Sequence, residues 1–133
     1  MSTHIPKGYP AVMPYLTVES AERLLDFVKT VFDAEELEIS RRDDGSVAHA
    51  AARVLGCVIE MSDGRPEWPP RPGALHVYLD DTDATYQRAL DAGATSIYVP
   101  ADQEYGERSA GVVDPVGNNW YLATYTGCES RDD

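Results

Sequence analysis

Between Ser20 and Phe32 the apolar residues Ala21, Leu24, Leu25, Val28, Val31 and Phe32 recur at intervals of three and four, which predicts a helix with one apolar stripe. Ser20 is its expected N-cap. Residues 11–18 read as a strand before the helix. After Asp33-Ala34 the chain reads as strand 35–42, a turn at Asp43-Asp44-Gly45, strand 46–54, a turn at Gly56, and strand 57–62. The segment 64–73 holds four prolines, which predict an irregular linker. The same order then returns. Strand 74–80 leads to a helix over about 83–92, with Thr82 as cap and Gly93 as stop. Strands 95–99, 106–113 and 119–126 follow, the last two joined by Asp114-Pro115-Val116-Gly117, and the polar tail 127–133 is expected to fray.

The return is in register. Tyr15 and His76, Ser20 and Asp81, and Glu60 and Tyr121 are each 61 positions apart (76 − 15, 81 − 20, 121 − 60). The fold class is therefore α+β, with two tandem βαβββ modules at about 11–63 and 74–126 in a single domain spanning 1–133. A βαβββ sheet carries its helix on one face, so the other face needs a partner, which the tandem copy is expected to supply, with a small molecule enclosed in the hollow between the two modules.

Strand alternation sorts the side chains between those faces. Leu75, Val77 and Leu79 belong under the second helix, as do Pro14, Leu16 and Val18 under the first, with Cys57, Ile59 and Met61. That leaves Tyr15, Glu60, His76, Tyr78 and Tyr121 on the helix-free faces. His49 and Arg53 join them, although the small residues around His49 make its alternation less decisive. Aromatic walls with a few convergent polar groups are the usual lining of a small-molecule site. The plainer reading of each residue is a solvated sheet face.

Composition narrows the classes. Acids outnumber bases 23 to 11, for a formal charge of −12, and nucleic acid is not an expected partner because phosphate binding needs clustered Lys and Arg. Apolar runs fall far short of the roughly 18 residues a bilayer span needs, and no apolar core follows the N-terminal charges, so neither membrane insertion nor a secretory signal is expected. Two cysteines, Cys57 and Cys128, suit reduced thiols in the cytoplasm.

Three segments carry a resemblance. They are Pro14-Tyr15-Leu16-Thr17-Val18 with the helix through Phe32-Asp33-Ala34-Glu35; Leu75-His76-Val77-Tyr78-Leu79-Asp80-Asp81 through Ala92-Gly93-Ala94-Thr95; and Tyr105-Gly106-Glu107-Arg108 with Asp114-Pro115-Val116-Gly117-Asn118-Asn119-Trp120. Over about 12–125 the chain resembles the vicinal-oxygen-chelate superfamily of glyoxalase, bleomycin-resistance and dioxygenase proteins, and within it the PhnB-like branch. The resemblance implies a homodimer. It also implies ligand positions for a divalent ion at Met13, Glu60, Ala74 and Tyr121, of which only Glu60 is an ordinary ligand.

Two functions remain open at the level of sequence. One is a binding protein that sequesters an aromatic or cationic antibiotic or metabolite without metal or other cofactor, its tyrosines stacking on the ligand and Trp68 closing over the mouth. The other is a metal-dependent isomerase, lyase or dioxygenase in which Glu60, His76 and a third group, His49, serve Mn, Fe, Ni or Zn. Arg108 either anchors an anion or pairs on the surface with Glu107 or Asp102.

Overall fold

Helix α1 (Ala21–Phe32) begins where the sequence puts it, because two side chains satisfy its first amides. The Ser20 hydroxyl accepts from the Arg23 N–H at 3.2 Å, and Asp63 Oδ1 accepts from the Ala21 N–H at 2.6 Å. Asp63 closes the last residue of a strand onto the helix start, and its Oδ2 also accepts from the Val47 N–H at 2.8 Å. The structure, a computed structural model, describes residues 4–127. The expectation of a frayed tail over 127–133, and Cys128 within it, lies almost wholly outside the described residues.

The chain divides into two compact units between Arg71 and Pro72, inside the proline-rich segment. In the first, β1 (Tyr15–Val18), α1, β2 (Glu35–Arg41), β3 (Val47–Val54) and β4 (Cys57–Asp63) form a four-stranded sheet of order β1-β4-β3-β2. Only the β1–β4 pair is parallel. The second unit repeats this with β5 (Ala74–Tyr78), α2 (Thr82–Asp91), β6 (Thr95–Gln103), β7 (Glu107–Val113) and β8 (Asn119–Tyr125), in order β5-β8-β7-β6. The repeat holds at the level of register: Tyr15 pairs with Glu60, and His76 with Tyr121.

In the first unit Leu16, Val18, Ala50, Ala52, Ile59 and Met61 are buried with the stripe Leu24, Leu25, Phe27, Val28, Val31 and Phe32 of α1. Cys57 departs from the expected inward set. It is exposed, because it follows the two-residue turn Leu55-Gly56, whose φ angles of 50° and 84° are those of a tight hairpin.

Two boundaries in the second unit move for a clear physical reason. The cap of α2 is Asp81, which accepts from the Ala84 N–H at 3.0 Å. Thr82, expected as the cap, is buried and uses its hydroxyl elsewhere: it donates to the Arg108 carbonyl at 3.0 Å and lies 2.9 Å from Thr124 Oγ1. Strand β6 runs on through Pro100, where the sequence suggested an end. As an edge strand with a register slip between Tyr98 and Ala101, it tolerates the missing N–H. The turn Asp114-Pro115-Val116-Gly117 is held by buried Asp114, which accepts from the N–H groups of Val116 and Asn118, from Asn118 Nδ2 at 3.0 Å and from Trp120 Nε1 at 2.8 Å.

The proline-rich segment is more ordered than a linker. Arg65 and Trp68 exchange backbone hydrogen bonds at 2.8 and 2.9 Å around Pro66-Glu67. The Arg71 N–H then donates to the Thr17 carbonyl at 2.9 Å, so the segment straps the outer edge of β1. Gly64 permits this path: a Cβ there would stand 2.6 Å from Pro70 Cδ.

Candidate functional site

In the first unit the structure brings four sequence-predicted residues to the helix-free face. His49 on β3 points its Nε2 at Glu60 Oε2 on β4, 3.2 Å away, and its Nδ1 at Glu38 Oε1 on β2, 3.4 Å away. Tyr15 on β1 lies beside the imidazole, with ring centroids 6.0 Å apart. Arg53 stands outside this cluster. It pairs with Glu35 at 3.6 Å and donates to the Gly8 carbonyl at 3.2 Å, holding the N-terminal segment near Tyr9, whose hydroxyl donates to Glu38 at 3.3 Å. Burial, followed by the charge of Glu38 beside it, pushes the Tyr9 hydroxyl above its ordinary pKa.

A cavity of about 250 Å³ opens on the first unit between the strap and the strands. Tyr15, Thr17, Ala48, Ser62 and Asp63 contribute from the sheet, Arg42 from the β2–β3 hairpin, and Arg65 and Trp68 from the strap. Trp68 is 65% exposed, an unusual state for an indole, and it forms one wall with Tyr15 as another lining ring. The hairpin is rigid where Arg42 leaves it. Asp44 accepts from the Ser46 N–H and hydroxyl, which holds its carboxyl below the usual carboxylate range, and Gly45 takes φ 90°.

The second unit carries the other three predicted residues. His76 and Tyr78 on β5 meet edge to face, with centroids 4.7 Å apart, and both address Glu107 on β7. The Tyr78 hydroxyl donates to Glu107 Oε1 at 3.2 Å, and His76 Nε2 lies 3.7 Å from Oε2. Glu107 is only 4% exposed, so a buried acid is stabilised by these two polar partners. Tyr121 on β8 is separate from that cluster, its hydroxyl accepting from Asn119 Nδ2 at 3.0 Å. Arg108 faces the α2 side and chelates Asp83 at 2.6 and 2.9 Å, with Asp102 at 3.3 Å. The surface pairing considered for it is present, with Asp83 rather than Glu107 as chief partner.

Sequence reasoning passed over Glu38, Glu107, Arg42 and Arg65. Glu38 was hidden because a register irregularity between Glu36 and Glu38 breaks the alternation along β2.

The donor set does not fit the divalent ion that the resemblance implies. Met13 and Ala74 bring no suitable donor, the Tyr121 phenol is engaged with Asn119, and the near oxygen of Glu60 is engaged with His49. Glu38 and Glu60 lie at opposite nitrogens of one imidazole, so the ring separates them instead of leaving a common vertex. Among the described residues no three His, Cys, Asp or Glu side chains gather as a metal site would require.

A family model described as the Glyoxalase/Bleomycin resistance protein/Dioxygenase superfamily matches residues 9–122. An uncharacterized protein of Mycobacterium bovis is 36% identical over 124 residues, which cover 85% of this chain and 82% of that protein. Among solved structures, the PhnB protein of Bacillus cereus superposes with a TM-score of 0.73 at 20% identity, over 86% of this chain and 99% of that one. The fosfomycin resistance protein FosX of Listeria monocytogenes, solved with Mn(II) and sulfate, superposes with a TM-score of 0.69 at 17% identity, over 92% of this chain and 94% of that one. At these identities the two structures speak to the fold.

Proposed function

The chain belongs to the Glyoxalase/Bleomycin resistance protein/Dioxygenase superfamily, and from that premise we propose that it is a small-molecule-binding protein that holds a planar aromatic ligand without a resident metal. The ligand packs in the cavity of the first unit, against Tyr15 and Trp68. Its role is sequestration of an antibiotic or metabolite, and the binding form is a homodimer.

The observation that carries this reading is the exposed indole of Trp68, held over the cavity by a strap that is itself hydrogen-bonded to β1. An aromatic ring left 65% in water on an ordered segment loses apolar surface to solvent, which a stacked ligand would cover. His49 and Glu60 satisfy one another rather than forming a metal vertex, and neither lines the cavity, where Tyr15 alone of the sequence-predicted residues stands. The metal-dependent alternative through Glu60, His76 and His49 needs Glu60 and His49 to give up their mutual contact first.

Intrinsic fluorescence tests the reading. The two tryptophans are unlike, since Trp120 is fully buried and Trp68 is exposed. Titration with planar aromatic antibiotics should quench the emission of Trp68 alone, and a Trp68→Phe variant should lose the response. A flat response to all such compounds contradicts the proposal.

A further inference from the structure

We infer that the cavity of the first unit reads an anion: its ligand carries a carboxylate, sulfonate or phosphonate beside the aromatic ring, and Arg42 receives that group. The inference rests on the preceding reading that the cavity takes an aromatic molecule.

Arg42 is held by neutral acceptors, and Asp44, joined to it through the Ser46 hydroxyl, is the nearby acid whose charge it feels. Its backbone is fixed at the hairpin, where its N–H donates to the Ser46 carbonyl at 2.8 Å and its carbonyl accepts from Gly45 at 2.9 Å. Its Nη1 donates to the Ser46 hydroxyl at 3.0 Å and its Nη2 to the Asp63 carbonyl at 3.4 Å, both neutral acceptors. A guanidinium has five N–H groups, so three are left for another partner. Among the described residues no carboxylate lies within ion-pair distance of it, whereas Arg23, Arg41, Arg53, Arg65 and Arg108 each have one. In a chain where acids outnumber bases 23 to 11, a cavity-lining arginine without such a partner is a departure from the surroundings.

One acid, Asp63, stands in the lining against two guanidinium groups. Asp63 accepts from the Ala21 and Val47 amides, one on each carboxylate oxygen, which takes up part of its capacity to receive a cationic ligand. Arg65 adds a second guanidinium, paired at 3.6 Å with Glu67. The formal charge of −12 on the whole chain works against an anion at long range, but screening over roughly 8 Å at physiological salt leaves the near groups, Arg42 and Arg65 with Asp63, Asp44 and Glu67, to set the local preference, and of these Arg42 is the one with unused donors and no direct ion pair. An anion preference at the cavity would run against the acidic composition of the chain. Its volume of about 250 Å³ suits one or two fused rings with a small charged group.

The test is isothermal titration calorimetry of the full chain with three matched probes: 2-naphthoate, 2-naphthalenemethanol and 2-naphthylmethylammonium. The naphthoate should bind at least about tenfold more tightly than the other two. That preference should disappear in Arg42→Gln and shrink in Arg42→Lys, with the loss falling at least about tenfold more heavily on the naphthoate than on the neutral alcohol in Arg42→Gln. Equal affinities, a preference for the ammonium, or a naphthoate preference that survives Arg42→Gln overturns the anion inference while the aromatic site stands. No binding of any of the three overturns the aromatic site and the inference together.

Discussion

One imidazole joins three strands: Nε2 of His49 lies 3.2 Å from Glu60 on β4, and Nδ1 lies 3.4 Å from Glu38 on β2. The two contacts differ in setting. The Glu60 side chain is 22% exposed and that of Glu38 51%, so water screens the second far more. In a double-mutant cycle measured by urea unfolding, His49 and Glu60 should couple by about 1 kcal/mol, and His49 and Glu38 by about 0.3 kcal/mol. Equal couplings would show that the two carboxylates are equivalent partners.

Asp114 should be the costliest single polar residue of the second unit. Its carboxylate is buried and receives the Trp120 indole, the Asn118 amide and two backbone N–H groups. Asp114→Ala leaves several buried donors without their acceptor and should destabilise by about 3 kcal/mol or more in urea unfolding. A loss below 1 kcal/mol would mean that the turn holds by other contacts.

Gly64→Ala should release the strap. The added methyl meets Pro70 at 2.6 Å and its backbone nitrogen at 2.9 Å, so the chain must move. Hydrogen exchange at the amides of Arg71 and Trp68, which donate to Thr17 and Arg65, should accelerate while the β3 amides stay protected. Unchanged exchange at Arg71 would show that the strap absorbs the methyl.

Much of this architecture was legible from residue order alone. The stripe from Ala21 to Phe32 and the offset of 61 between Tyr15 and His76 were enough to place both helices and to set the two modules in parallel, because burial on one face imposes those periods, whereas the strand order and pairing are seen only in the structure. The site was legible only in part. Alternation brought Tyr15, His49 and Glu60 to one face, yet it missed Glu38 behind a register irregularity, and Glu107 because a buried acid runs against the apolar rule. Arg42 could not be found from pattern at all. Its significance depends on where both oxygens of Asp63 go, which is a tertiary fact.

The pairing of Arg108 with Asp83 sets a pH dependence. Hydrogen bonds from the guanidinium hold the Asp83 carboxyl below its ordinary 3.8, and the same contacts raise the arginine. A folded-state pKa below the unfolded one stabilises above the unfolded pKa, and that contribution is lost as pH falls through the folded value. Carboxyl NMR should therefore find Asp83 titrating below 3.8, and Arg108→Gln should return it to the ordinary range. Titration at the ordinary value in both proteins would remove the pair as a source of acid sensitivity.

The most direct test of a metal-free ligand site is the Trp68 quenching titration, repeated after exhaustive EDTA dialysis and after addition of Mn, Fe, Ni or Zn. An aromatic ligand held by Tyr15 and Trp68 predicts the same dissociation constant throughout. Quenching that vanishes with EDTA and returns with one divalent ion per chain would contradict it.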